Sequence, residues 1–465
     1  MSDLTWKSAL ELRDLVGAKE VSPVEVVTAS LARLREVEPA INAFLDVTED
    51  QAMDAARAAE DAVMSGAELG PLHGLPVSVK DLIAAKGARM TFGSKAMADN
   101  VSEVDAPSVE RIRAASGAVI GKTTTSEFGC KAVGDSPLTG ITRNPWNLEK
   151  TTGGSSCGAA ASIASGVSPF GLGTDGGGSV RIPSAFTGLF GIKAHFGRVP
   201  VFPVSATPTL AHVGPLARTV RDGALLLQTI SGYDARDAGA VAQDVPDFLS
   251  ACDRSSQGLR IAWSPTLGYG DPDPKVLETC AAAVAVFEEL GCEVTQVDTV
   301  FDDPLELIIS EFFAGAGTRL RPVLENSREL LDPTVAHMLD GALGQDMGDY
   351  YTKVFRRYDL RNRVYDFFAD YDLLLTPTLP VTAFDAGEDY PPGRGSADNV
   401  IGWLTYTYPF NLTGLPAASV PCGFIDDLPV GLQIVGRHLG EVDIFRAAAA
   451  FEEARPWADK QPELH

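Results

Sequence analysis

The 465-residue chain has little that would crosslink it, make it basic or carry it through a bilayer. Its six cysteines (Cys130, Cys157, Cys252, Cys280, Cys292 and Cys422) are scattered, with no CxxC pair. At this length such spacing excludes a disulfide framework and predicts reduced, mostly buried thiols in a reducing compartment. Lysine and arginine number 38 against 62 acids, a formal net charge of −24. Nucleic-acid binding needs a basic footprint, so no nucleic-acid partner is expected, and an anionic membrane surface is excluded on the same ground. No apolar run reaches the ~18 residues of a membrane helix. The opening MSDLTWKSALELRDL has neither a basic start nor an apolar stretch before a cleavage site, so no signal peptide and a cytoplasmic location are expected. The six histidines do not cluster and no HExxH occurs, which calls for no metal and no cofactor.

Another scarcity is local. After Asp175 no acid appears until Asp222. In a chain this acidic, such a run reads as buried. Overlapping it, Gly153 to Gly191 holds 11 glycines and 7 serines in 39 residues. Glycine at that density is entropically costly and is kept where backbone turns sharply or approaches something closely. Together these features predict a buried cavity lined by amides and hydroxyls.

What surrounds it is regular. Ser8 with Glu11 opens a short helix that Gly17 can close, and Ser22-Pro23-Val24-Glu25 is a capping box with proline at the first helical position. Pro39 is expected to end that second helix. Thr48 with Gln51 caps a third, which stops near Gly66. GLPVSVKDLI (Gly74 to Ile83) alternates as a strand, with Val77 and Val79 on one side and Ser78 and Lys80 on the other. Ala118 to Ile120 is a second strand. A proline-rich passage from Gly197 to Pro215 cannot be regular helix. From Gly258 the pattern is β-α-β: strand Leu259 to Trp263, helix from Asp273-Pro274 to Leu290, strand Cys292 to Val297. Charged helices fill 301–370. Strands follow at Asp372 to Leu375, Leu415 to Val420 and Val430 to Val435, then a C-terminal helix. No repeat or linker appears, so one α/β domain over 1–465 is expected: N-terminal helices 1–66, a catalytic core 72–222, and 258–465 for the rest of the sheet and a pocket wall.

Three short motifs fail on context. Gly171-x-Gly173-x-x-Gly176 fits a dinucleotide fingerprint but lacks the acid ~20 residues on that would hold a ribose. Ser116 to Thr123 resembles a phosphate loop, yet Ser116 stands where its first glycine belongs. Gly154-x-Ser156-x-Gly158 matches a nucleophile elbow, but no strong strand precedes it and only His337, His438 and His465 lie late enough to serve it. If a serine is the nucleophile, another base must take its proton. A lysine serves when burial disfavours its charged form.

Longer strings carry a resemblance. GLPVSVKD around Lys80, TTGGSSCGAAASIASG, GLGTDGGGSVRIPSAFTGLFGIK, GPLARTVRD, FNLTGLPAASVPCGF and LPVGLQIVG are similar to the amidase signature family over nearly the whole chain. The Lys80–Ser155 gap of 75 and the Ser155–Ser179 gap of 24 fit that family's spacing. The resemblance implies a large mixed twisted β-sheet covered by helices on both faces. It implies Ser179 as nucleophile, Ser155 on a cis peptide bond as bridging serine, and Lys80 as ultimate base. The N–H groups of Gly176, Gly177 and Gly178 would converge on a developing oxyanion, worth ~3–4 kcal/mol per donor in acyl transfer. Gly129 or Cys130 would line the acyl side of the substrate site by analogy. Asp175 and Arg181, charged in a buried run, are expected to be paired and structural. Cys157 stands where the family usually has glycine, and Gly176 where a larger residue is common.

Within the family, the A components of tRNA-dependent amidotransferases usually follow GRV with an SRYGL-like passage. Here Val199 is followed by PVFPVSATPTLAHV. The expectation is therefore a stand-alone amidase acting on small-molecule amide or carbamate substrates. The alternative is the A component of a tRNA-dependent amidotransferase, which releases ammonia from glutamine; a homodimer is compatible with either. Trp403 to Phe410 holds four aromatics in eight residues. It serves either as an aryl pocket wall, which would favour anilides and urethanes, or as ordinary core.

Overall fold

A computed structural model describes residues 2–464; His465, one of the late histidines weighed above, lies outside them. The N-terminal helices start where their caps dictate. Ser8 and Glu11 bond each other's backbone N–H ahead of Ala9–Gly17, and Ser22 and Glu25 do the same ahead of Pro23–Ile41. Pro39 does not end the second helix. It lies inside the last turn, where its ring removes a single N–H, and the buried Ile41 and a left-handed Asn42 close the helix two residues later. Thr48 precedes Glu49–Ser65 but does not cap it, because its hydroxyl donates instead to the Val119 carbonyl at 2.9 Å.

An 11-stranded mixed sheet organises the molecule. Its strands run in the spatial order Phe44–Val47, Ala118–Thr123, Pro76–Lys80, Phe170–Asp175, His212–Ala217, Phe190–Lys193, Ala417–Ile425, Leu428–Gly436, Leu373–Pro377, Arg260–Trp263, Glu293–Gln296. The expected β-α-β unit is present, with Ile261 opposite Val294 in parallel register across the Pro274–Glu289 helix. Period-two geometry splits each strand between two cores. Leu373 and Leu375 enter one apolar cluster and Leu374 the other; Ile261 and Ala262, and Ile434 and Val435, divide the same way. Both faces are covered, so alternation in sequence does not become alternation in exposure. In Pro76–Lys80, Ser78 and Lys80 are as buried as Val77 and Val79.

The glycine- and serine-rich stretch resolves into helix Cys157–Ala164, strand Phe170–Asp175, helix Arg181–Thr187 and strand Phe190–Lys193. The first helix is buried all round, which its alanine, serine and glycine side chains permit. Between Ala194 and Ala211 no helix or strand forms, as the prolines require. Among the described residues no helix is long and apolar enough to cross a membrane.

Strand order places the site. Pro76–Lys80 lies between two parallel neighbours, with Lys80 opposite Thr123 and Val79 opposite Leu172. The carboxyl ends of three parallel strands therefore share one edge of the sheet, where catalytic loops collect in α/β proteins. Lys80, Thr174 and Asp175 stand at that edge.

Candidate active site

Lys80 ends its strand with its side chain fully withdrawn from solvent. Its ammonium nitrogen meets three hydroxyls and no carboxylate: Ser155 Oγ at 2.7 Å, Thr174 Oγ1 at 2.8 Å and Ser156 Oγ at 3.0 Å. Burial without a paired anion disfavours the charged form and brings the lysine pKa down from 10.5 to about 7, against the opposing fields of nearby acidic groups. A neutral amine has two protons and one lone pair, so one of the three hydroxyls must donate to it. Ser156 does not fit, since its own proton points to the Thr174 carbonyl at 3.2 Å. Ser155 is free to donate. Its peptide bond to Gly154 is cis, and Ser156 is the N-cap of the Cys157–Ala164 helix.

Ser179 is brought to the same place by the loop after strand Phe170–Asp175. Its carbonyl accepts from the Ser156 N–H at 3.3 Å, and its side chain faces the cavity that Ser155 and Thr174 also line. Among the described residues no hydrogen bond joins the Ser179 and Ser155 hydroxyls. The Gly178 N–H is not available to an oxyanion as expected above, because it donates to Asp175 Oδ1 at 2.8 Å. The N–H groups of Gly176, Gly177 and Ser179 have no protein partner among the described residues, so the free donors are these three.

Beneath the loop lies a closed ionic network. Arg181 grips Asp175 with Nε at 3.0 Å and Nη2 at 2.9 Å. Its remaining donors go to the Thr407 carbonyl, Gln433 Oε1 and Asn411 Oδ1. Asp175 also accepts from Asn411 and the Val180 N–H. Burial alone would raise this carboxyl's pKa; the Arg181 charge and these hydrogen bonds outweigh it and hold the acid well below the usual carboxylate range. His212, on the cavity wall, is kept neutral by burial. Its Nδ1 faces the Leu210 and Asp175 carbonyls, at 2.7 and 3.1 Å, and its Nε2 faces Lys193. Both ring nitrogens are thus engaged with protein partners.

Comparison with known proteins decides the family: residues 25–445 match the family model named Amidase. The chain belongs to the amidase signature family. It is 38% identical to an acylamidase of Rhodococcus erythropolis over 99% of this chain and 98% of that one. It is 37% identical to the A component of the glutamyl-tRNA(Gln) amidotransferase of Geobacillus thermodenitrificans, over 98% of both. Among solved structures, a bacterial aryl acylamidase superposes with a TM-score of 0.91 at 31% identity, over 97% of both chains. The protein is accordingly an amide-cleaving hydrolase, with the mixed sheet and flanking helices of that family.

Two cavities meet at Ser179 in this amidase. The larger, about 410 Å³, is lined by Ser155, Thr174 and Gly176 and otherwise mostly by apolar groups, among them Phe92, Phe128, Phe202 and Phe312. The smaller, about 30 Å³, is lined by Cys130, Ile308, Ile401, Leu404 and Tyr408, with Phe312 shared between the two. Gly129 lies on both walls and Cys130 on the small one only. The aromatic cluster around Trp403 resolves mostly as core: Trp403 stacks on Phe186, and Tyr406 donates to the Pro265 carbonyl. Only Leu404 and Tyr408 of that segment reach a cavity. The aromatic lining of the larger cavity comes instead from Phe92 and Phe128, from Phe202 in the irregular passage at Pro200 to Thr207, and from Phe312 on helix Leu305–Asn326. Ser156 and Thr174, the other partners of Lys80, were missed in sequence.

Proposed function

We propose that the protein hydrolyses linear carboxamides through an acyl-enzyme on Ser179, with Ser155 and Lys80 as its proton relay. The observation that carries the reading is the 2.7 Å contact between a fully buried, carboxylate-free Lys80 amine and Ser155 Oγ. Neutral Lys80 takes the proton of Ser155, and Ser155 takes that of Ser179 as its oxygen attacks the carbonyl carbon. The oxyanion is met by the N–H groups of Gly176, Gly177 and Ser179, placed before the charge develops. As the C–N bond breaks, the proton passes from Lys80 through Ser155 to the leaving nitrogen. Amine departs, and the acyl group remains as a Ser179 ester. A water then repeats the sequence, releasing the carboxylic acid and restoring the Ser179 hydroxyl.

The same steps serve esters and N-aryl carbamates, so urethane cleavage belongs to the proposal. The amidotransferase reading is the weaker one. Free glutamine carries an ammonium and a carboxylate, and the larger cavity offers mainly aromatic and aliphatic wall. A fluorophosphonate probe tests the mechanism: labelling at Ser179 in the isolated protein, lost in Ser179→Ala, is expected. Labelling at Ser156 or Cys157 instead overturns it. Hydrolysis of anilides by the isolated chain, with no partner protein added, separates the two readings of function.

A further inference from the structure

The two cavities at Ser179 differ more than tenfold in size, about 30 Å³ against about 410 Å³. They also differ in what reaches them. Ser155 lines the large cavity and not the small one. This difference fixes which way round a substrate lies.

The leaving nitrogen must receive a proton as its bond to carbon breaks, and a proton donor acts within hydrogen-bond reach, about 2.6–3.2 Å. In the relay argued above, that donor is the Ser155 hydroxyl. The nitrogen therefore sits on the Ser155 side of the carbonyl carbon, and whatever it carries extends into the large cavity. The acyl substituent lies across the carbon from the nitrogen. It is left with the small cavity, beyond Gly177 and Cys130.

We infer that the enzyme selects amides that join a short acyl group to a bulky apolar amine, an arylamine above all, rather than amides of bulky acids with a small amine. This rests on the proposed relay. Size sets the limit on the acyl side. A water-sized group needs roughly 10–15 Å³ by the same measure, so the small cavity holds two or three such groups: an acetyl or propionyl tail, not a benzoyl or octanoyl one. Part of its wall is held in place. Leu404 and Ile401 are buried. The Tyr408 ring is tethered by its hydroxyl, which donates to Asp303 Oδ1 at 2.8 Å. On the amine side, Phe92 and Phe128 stack with ring centres 6.0 Å apart, and Met90 and Met97 adjoin them. Flat aromatic and adaptable thioether walls suit an aryl ring.

The test compares kcat/KM for 4-nitroacetanilide, its butanoyl and octanoyl homologues on the same arylamine, and 4-nitrobenzamide, whose ring is on the acyl side. Wild-type enzyme is expected to favour the acetyl compound at least tenfold over the octanoyl homologue and over the benzamide. Leu404→Ala, or Leu404→Val if the first folds poorly, is expected to narrow the acetyl–octanoyl gap by raising turnover of the longer chain. Equal or faster turnover of the octanoyl compound or the benzamide by wild type, or turnover of none of these, overturns the inference. The relay is judged separately with Ser179→Ala and Lys80→Ala on whichever substrate is best. If both are inactive while the preference is reversed, only the orientation falls; if either keeps wild-type rates, the relay itself falls.

Discussion

Lys80 Nζ lies 2.7 Å from Ser155 Oγ in a place that excludes water and holds no carboxylate within salt-bridge distance of the amine. Burial brings the lysine pKa to about 7, so the base form is populated near neutrality. The relay needs neutral lysine, and neutral lysine is lost as pH falls. Wild-type kcat/KM should rise with unit slope below about pH 7 and level off above it. Lys80→Ala should lose a factor of about 10²–10⁴, the usual worth of a positioned base, and should lose that inflection. A flat wild-type profile from pH 5 to 9 would show that Lys80 is not the titrating base.

The same shift bears on stability, with a definite sign. The unfolded chain keeps its lysine protonated up to about pH 10.4, whereas the folded chain releases that proton near pH 7. Between those values the unfolded state binds more protons, so Lys80 destabilises the fold most below pH 7 and progressively less toward pH 10. The full difference is roughly 4–5 kcal/mol at the acid end. Lys80→Met, similar in length and uncharged, should therefore be inactive yet more stable than wild type at pH 6.5. That advantage should shrink by pH 9.5. Urea unfolding at the two pH values measures it, and an advantage independent of pH counts against the shift.

Local chemistry was legible in the sequence, and long-range geometry was not. The capping boxes at Ser8 and Ser22 and the β-α-β unit around Pro274 are set by residues three or four positions apart, and they formed as read. The placing of Lys80 beside Thr174 depends on strand order, which no local pattern encodes. Phe44–Val47 went unseen because a four-residue edge strand has too few alternations to register. The donor set at Ser179 was misassigned at one position for a related reason. A run of three glycines does not say which N–H will turn inward to Asp175. Nor does an aromatic cluster in sequence say whether it faces a cavity, and around Trp403 it mostly does not.

Asp175 holds the loop that carries Ser179 through Gly178, Val180 and Arg181. Asp175→Asn keeps the shape but leaves the Arg181 charge buried without its counter-ion. Such removal costs about 3–5 kcal/mol, and the loss should appear as a lowered unfolding midpoint together with slower acylation. Arg181→Met added to that variant should restore part of the stability, because no lone charge then remains, but not the acylation rate. The carboxyl pKa is depressed in the fold, so the wild-type pair stabilises above the unfolded carboxylate pKa of about 3.9 and loses that contribution as pH falls below it.

Cys157 replaces the glycine usual in this family, yet it does not act as a nucleophile in the proposed scheme. It is buried on the Cys157–Ala164 helix, lines neither cavity, and contacts Thr124 Oγ1 at 3.7 Å. Burial pushes its thiol pKa up, which removes the thiolate. Cys157→Ala should keep near wild-type turnover and lose about 1 kcal/mol of stability from the missing sulfur. Native enzyme should resist iodoacetamide at this position; inactivation that tracks Cys157 alkylation would reverse the assignment of Ser179.

The glycines before Ser179 should separate by position rather than behave as one motif. Gly178 has φ +135°, a conformation that side chains rarely adopt, and a Cβ there would lie 2.5 Å from Thr407 Oγ1 and 2.7 Å from Ile182 Cδ1. Thr407 is itself fixed by donating to the Gly177 carbonyl at 2.7 Å. Gly178→Ala therefore has to displace the loop that aims Ser179, at a cost of about 1–3 kcal/mol and with loss of most acylation. A Cβ on Gly177 would meet nothing within 4 Å, and its N–H is unchanged by the substitution. Gly177→Ala should unfold close to wild type and keep its oxyanion donor. Gly177 lines the smaller cavity, where space is about 30 Å³, so the effect of an added methyl should fall on acyl size. Acetyl-arylamide turnover should survive while butanoyl-arylamide turnover drops, a contrast that paired kcat/KM measurements read directly. An equal loss on both substrates would mean that the methyl disturbs the oxyanion donors instead, and that the small cavity does not receive the acyl group.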